Sequence, residues 1–293
     1  MAELALRATN RKNMLPASAS SVGVVYAAFG AAYRELAVLS IVWLRRTGYS
    51  GPVRVLTGDQ YWPADALGCE IVRIPTVGDG FATRHYKTQI NTYGYDTTLF
   101  LDADTLPVSS IRRIWRELRF ADFCLSLDYH PKVENLIAKG TIGRDRRELE
   151  FRTMSDLGLL DHAFYNSGVM LFRRSAVTDR FFTTWHEEWN RFRHEDQLAM
   201  VRAIARTGLK VRTLAPRWNA RLKRSATIEG AQLRGVRIVH LRPGRPENAR
   251  LVRALLAQPA FAEVSPKITL RRRLGMLLRR LKAAIADCFV RLW

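Results

Sequence analysis

The segment TTLFLDADTLP, Thr97 to Pro107, carries an apolar run that stops at two aspartates one residue apart, Asp102 and Asp104. In an extended chain residues i and i+2 lie on one side, so both carboxylates can converge on a single cation where the strand ends. An Asp-rich turn or a helix cap is the structural alternative for the same pattern. Later segments add polar groups of the kind that ligands meet. FYNSGVMLF holds Asn166, Ser167 and Gly168, small polar side chains beside a glycine that lets backbone approach a ligand closely. HEDQLA places Asp196 and Gln197 near a helix start, where the helix dipole alone also favours an acid. LAPRWNAR surrounds Asn219, and IVHLRPGRP delivers His240 on a strand, followed by Gly244 and Arg245. Asp128 follows the strand-like ADFCLSL, where capping a loop accounts for it.

These groups depend on a frame. Residues 21–27, 53–57, 71–75, 98–102 and 121–127 read as strands, and residues 33–46, 83–93 and 108–118 as helices. Alternating strand and helix predicts an α/β fold, a mostly parallel Rossmann-like sheet with helices on both faces. Ligands bind beyond the carboxyl ends of such strands, where Asp102 and Asp104 fall. Residues 139–152 read as a charged excursion or flap. Strands follow at 163–172, 210–214 and 237–241, and helices at 175–192 and 195–207. The division is a patternless N-terminal arm over 1–20, one domain over 21–264 and a separate C-terminal helix over 265–293.

The chain has 293 residues, 47% of them hydrophobic, enough to build a substantial core. Lys and Arg outnumber Asp and Glu by 47 to 27, and the net charge of +20 calls for an anionic partner. No RNA- or DNA-binding signature accompanies that charge, and no nucleic acid is expected. Residues 264–293 hold eight basic residues and one acid, Asp287. There Leu270, Leu274, Leu277, Leu278, Leu281, Ile285, Phe289 and Leu292 make a helical stripe rimmed by arginines. Such a helix suits peripheral attachment to an anionic membrane surface, with packing on protein as the alternative. No apolar run of about 18 residues exists to span a bilayer, and Cys69, Cys124 and Cys288 lack metal-site spacing. A cytoplasmic protein with free thiols, peripheral on the inner face of the membrane, is the expectation.

From 21 to 246 the order of motifs resembles the nucleotide-sugar glycosyltransferases of the GT-A fold, in particular family 8, the glycogenin-like and galactosyltransferase-like group. Asp102-Ala103-Asp104 matches the family's Asp-x-Asp, Asn166 to Val169 its Asn-Ser/Ala-Gly-Val, and Asp196-Gln197 its Asp-Gln pair. The resemblance implies that Asp102, Asp104 and His240 hold Mn2+ or Mg2+. It implies that Lys87 approaches the donor diphosphate, that Tyr33 stacks on the base, and that Ala103 and Gly244 lie along the nucleotide. Asn166, Ser167, Gly168 and Asp196 then meet the sugar, and Asp196 and Gln197 serve catalysis. The sequence departs from the family twice. Arg245 replaces the lysine of the last motif, and Ala28-Phe29-Gly30 replaces the usual polar pair after the first strand.

The implied activity is transfer of a sugar from a nucleotide-diphosphate donor, UDP-linked and with retention as in family 8, to a saccharide or lipid-linked saccharide. A metal ion stabilises charge on a departing diphosphate, and two oxygens with one imidazole suit Mn2+. Two alternatives stand beside it. FLDADTLP also resembles the Asp-x-Asp-x-Thr strand of haloacid-dehalogenase-type phosphatases, which require a later acidic pair. A basic binding protein with structural carboxylates is the non-enzymatic reading.

Overall fold

The computed structural model describes residues 22–59, 62, 67–76, 82–138, 144–193, 195–221, 227–242 and 246–257. A parallel strand covered on both faces must be apolar throughout, and in β1 (Val22–Ala27) the four residues from Val24 to Ala27 are completely buried. It leads into α1 (Ala31–Arg46), then β2 (Val53–Thr57) and β3 (Glu70–Arg73). Two short helices, α2 (Ala82–Lys87) and α3 (Ile90–Tyr93), precede β4 (Thr97–Asp102). After β5 (Thr105–Pro107) and a 3-10 turn at Ile114–Arg119 come β6 (Phe123–Lys132), α4 (Val133–Ala138), α5 (Arg144–Asp156) and β7 (Ala163–Arg173). The remainder is α6 (Ala176–Phe192), α7 (Asp196–Thr207), β8 (Val211–Leu214), β9 (Ala220–Arg221), α8 (Ile228–Leu233), β10 (Ile238–His240) and α9 (Pro246–Leu256).

Seven strands form one sheet in the order β3-β2-β1-β4-β7-β6-β8, and β5-β10-β9 form a small second sheet. In the large sheet β7 runs antiparallel to both neighbours, β4 and β6, while the other pairs are parallel. Alternate residues feed two cores. Val24, Tyr26, Leu99 and Leu101 face α1, α8 and α9, whereas Val25, Ala27 and Phe100 face the aromatic side of α6 and the small residues of α7. The strand order reverses at β1 and β4, where Ala27 pairs with Asp102. That reversal opens a crevice at the carboxyl ends of the strands.

Several expected elements differ. The helix over 83–93 is two, interrupted where Gln89 takes φ −126°. The helix over 108–118 is instead a loop and a 3-10 turn over Ile114–Arg119, because the preceding Thr105–Pro107 pairs with β10 and Ile111, Ile114 and Leu118 reach the core without a full helix. Part of the charged excursion over 139–152 belongs to α5. Helices α8 and α9 were not expected. Residues 1–20 and 265–293, the arm and the basic helix, lie outside the described residues. No helix of the described residues is long and apolar enough to cross a membrane.

Candidate active site

Asp102 is the last residue of β4, and its carbonyl accepts the Thr105 hydroxyl at 2.7 Å across a tight turn through Ala103 and Asp104. The turn brings the two carboxylates together, not the strand alternation that the spacing suggested. From there β5 crosses into the small sheet. Its antiparallel pairing sets His240 opposite Thr105, and the Leu241 amide donates to the Asp104 carbonyl at 2.8 Å. His240 Nε2 therefore stands 3.2 Å from Asp104 Oδ1. One ligand atom from each of Asp102, Asp104 and His240 lies within 4.8 Å of the others. Gly168 leaves the space for this: a Cβ there would come 2.5 Å from His240 Cε1 and 3.0 Å from Asp102 Oδ2. Two hard oxygens, an imidazole and that gap fit a divalent cation.

Lys87 ends α2 with its ammonium buried, 2.8 Å from Asp102 and 3.4 Å from Asp196. Burial disfavours its charge, but Asp102 and Asp196 outweigh that and hold its pKa above the ordinary value. Asp196 opens α7. Burial works against its ionised form, yet Lys87, Arg84 and the Ser167 hydroxyl at 2.7 Å keep its pKa low. Burial likewise opposes ionisation of Asp104, and His240 overcomes it, leaving the Asp104 pKa lowered. In Asp102 burial and the Asp104 charge prevail over Lys87, and its pKa is raised. The two carboxylates thus divide one local charge unequally.

Beyond them the pairing of β6 with β7 slips between Leu125 and Ser126, so that Ser126 faces Asn166 while Leu125 faces Met170. The bulge gives Ser167 to the crevice and sets Gly168, which does not line it, against His240 and Asp102. Asn166 donates to Asp128 at 3.0 Å and accepts from Asn219 at 2.8 Å and from the Gly168 amide at 2.9 Å. Asp128 also accepts from Gln197 at 3.3 Å and from Arg221 at 2.9 Å on each oxygen. Burial opposes its charge and these donors override it, so the Asp128 pKa is lowered. The Gln197 amide nitrogen also reaches the Tyr165 carbonyl at 2.7 Å, which leaves its carbonyl oxygen as the end available to a ligand. Glu195 lines the same crevice, with its pKa pushed up to about 7 by burial and by neighbouring Asp196.

The crevice, about 800 Å3, is lined by Tyr33, Lys87, Asp102, Ala103, Asp104, Asn166, Ser167, Asp196, Gln197 and His240, all expected from sequence. Tyr33 is about half exposed, on the first turn of α1 behind Gly30, whose φ of +82° only glycine adopts without strain. Gly244 and Arg245 lie outside the described residues. Asp196 is not remote from the carboxylate pair, since one lysine touches both. Sequence reasoning missed Arg84, Glu195, Arg221 and Arg242 and gave Asp128 only a capping role, although the crevice includes them all. For Asp128 a signal existed: it follows the buried part of β6 as Asp102 closes β4. Among the described residues the group completing the aspartate pair is a histidine, not the acidic pair that a haloacid-dehalogenase site needs.

This strand order, with one antiparallel strand and an Asp-x-Asp turn at the reversal, is the GT-A fold of glycosyltransferases. Solved structures agree at low sequence identity. The bifunctional glycosyltransferase WbbM, in its apo structure, superposes with TM-score 0.60 at 14% identity over 86% of this chain. The chain covers only 52% of WbbM. The galactosyltransferase LgtC, solved with donor and acceptor sugar analogues, gives TM-score 0.53 and 15% identity over 84% of this chain and 96% of LgtC. Glycosyltransferase GlyE of Streptococcus pneumoniae TIGR4 gives 0.53 and 13% over 83% of this chain and 62% of that one. No protein-family model and no curated protein sequence matches the chain.

Proposed function

We propose that this protein is a metal-dependent glycosyltransferase that takes a sugar from a nucleotide-diphosphate donor, UDP-linked, and passes it with retention to a saccharide or lipid-linked saccharide. The observation that carries the reading is the meeting of Asp102, Asp104 and His240 beside Lys87 at the strand reversal of a GT-A fold. Those three residues would hold Mn2+ or Mg2+, and a bound cation supplies Lewis-acid stabilisation of diphosphate charge. Lys87 adds a fixed cation beside the same charge, and Tyr33 offers a partly exposed ring to the base. Asn166, Ser167, Gly168 and Asp196 would orient the sugar. The Gln197 carbonyl can stabilise an oxocarbenium-like sugar without the permanent charge of a strong nucleophile. Gly244 and Arg245 are assigned to the diphosphate from sequence alone.

A screen of nucleotide sugars with Mn2+, read as donor hydrolysis, identifies base and sugar together. Asp104→Asn should abolish Mn2+-dependent UDP binding in calorimetry while the circular dichroism stays native, whereas Gln197→Ala should lower kcat by about 10-fold with UDP affinity retained. Wild-type UDP and Mn2+ binding by Asp104→Asn would sink the metal assignment. For the basic helix over 265–293 we propose attachment to an anionic cytoplasmic membrane surface, each basic residue contributing about 1 kcal/mol at low salt. Deleting residues 266–293 should leave donor hydrolysis intact and end co-sedimentation with phosphatidylserine vesicles. Undiminished sedimentation of the shortened chain rules that role out.

A further inference from the structure

The hydrogen bonds behind His240 have a fixed direction. Asp128, held ionised by its donors, can only accept, so Asn166 must turn its NH2 group toward it, at 3.0 Å. The Gly168 amide, which can only donate, meets the Asn166 carbonyl oxygen at 2.9 Å and requires the same orientation independently. Asn219 then has no choice: its NH2 group faces that oxygen at 2.8 Å, and its own carbonyl oxygen faces His240 Nδ1 at 3.1 Å. Asn219 cannot turn over without setting two oxygens against each other.

We propose that Asp128, Asn166 and Asn219 are positioning residues that lock the hydrogen of His240 on Nδ1, so that Nε2, the nitrogen facing Asp104, is the one that can ligate a cation. This rests on the proposed metal site. A protonated ring serves both acceptors, donating Nδ1–H to Asn219 and Nε2–H to Asp104. In the neutral ring the fixed Asn219 oxygen holds the hydrogen at Nδ1, against the Asp104 carboxylate that competes for it at Nε2, and a ring so held presents its Nε2 lone pair as the ligand. Orientation of ligating imidazoles through their second nitrogen is a general means of raising metal affinity. Here the direction originates three groups away, at a carboxylate that two further donors, Gln197 and Arg221, hold in place.

The test reads the tautomer itself, without metal or substrate. Long-range nitrogen NMR of His240 at alkaline pH is recorded in an Asp104→Ala background, which removes the competing acceptor. The expected spectrum is that of the Nδ1–H form, and adding Asn219→Leu should turn it to Nε2–H. A predominant Nε2–H signal in the Asp104→Ala protein overturns the lock, as does a tautomer unmoved by Asn219→Leu. In the otherwise native chain, Asn219→Leu should weaken Mn2+ binding by about 10- to 100-fold. Unchanged Mn2+ affinity in Asn219→Leu also refutes the proposal. If the native chain binds no Mn2+ while the Nδ1–H tautomer is present, the metal reading fails and the lock stands.

Discussion

At the scale of single residues, the crevice concentrates carboxylates and then divides them between two states. Asp104, Asp128 and Asp196 are held ionised by cations and amides, whereas Glu195 is held toward its neutral form. For Glu195 the linkage has a definite sign. Its pKa rises from 4.5 to about 7 in the fold, so ionisation opposes folding: the penalty is absent below 4.5, grows between 4.5 and 7, and is complete above 7. Glu195→Gln should therefore melt at a higher temperature than wild type at pH 8 and at the same temperature near pH 4. An equal difference at both pH values would show that burial of its charge is not the cause. Legibility at this scale follows the strand ends. Asp102, Asp104 and His240 stood out because each ends or follows a buried strand. Arg221 did not, because it occupies a two-residue strand with no periodic pattern, beside His240 only through pairing of distant segments.

At the scale of elements, α5, the described part of the segment read as a flap, is fixed by an ion cluster. Arg202, fully buried on α7, reaches Glu150 of α5 at 2.6 Å and Glu188 of α6 at 2.8 Å, and Arg206 reaches Glu188 at 2.7 Å. Burial raises the Glu150 pKa against the pull of Arg202, so the cluster depends on that guanidinium. Replacing one partner of a buried ion cluster leaves uncompensated charge. Arg202→Leu should thus cost about 3–5 kcal/mol in urea unfolding, while a cost under 1 kcal/mol would mean that the acids simply take up protons. The same cluster explains why α5 was illegible. Eight of the thirteen residues of its segment RDRRELEFRTMSD are charged, and its buried Glu150 is balanced from a helix some fifty positions later. The opposite error occurred at 108–118, where Ile111, Ile114 and Leu118 have helical spacing but the preceding residues are claimed by β10. Strands β1 and β4 were read correctly because burial on both faces forces the apolar runs Val24–Ala27 and Leu99–Leu101, a signal that needs no partner to be seen, and β2 keeps enough of that signal despite its buried Arg54.

At the scale of the whole molecule, the aspartate pair stands where the chain leaves one sheet for the other. Asp102 closes a strand of the seven-stranded sheet, while Asp104 and His240 are tied to the three-stranded one by the Leu241 amide and the β5–β10 pairing. A cation shared by the three would fasten the two sheets to each other, so its free energy of binding would also resist their separation. Hydrogen exchange is the measure: with Mn2+ and UDP, amides of β5 and β10 should slow by about the ligand's mass-action factor, and those of the distant β2–β3 edge should slow less. Equal slowing everywhere would mean that the sheets open only together. With unequal slowing, the small sheet is the part of the fold that opens first when the site is empty, and a chelator would act on this protein as a local denaturant.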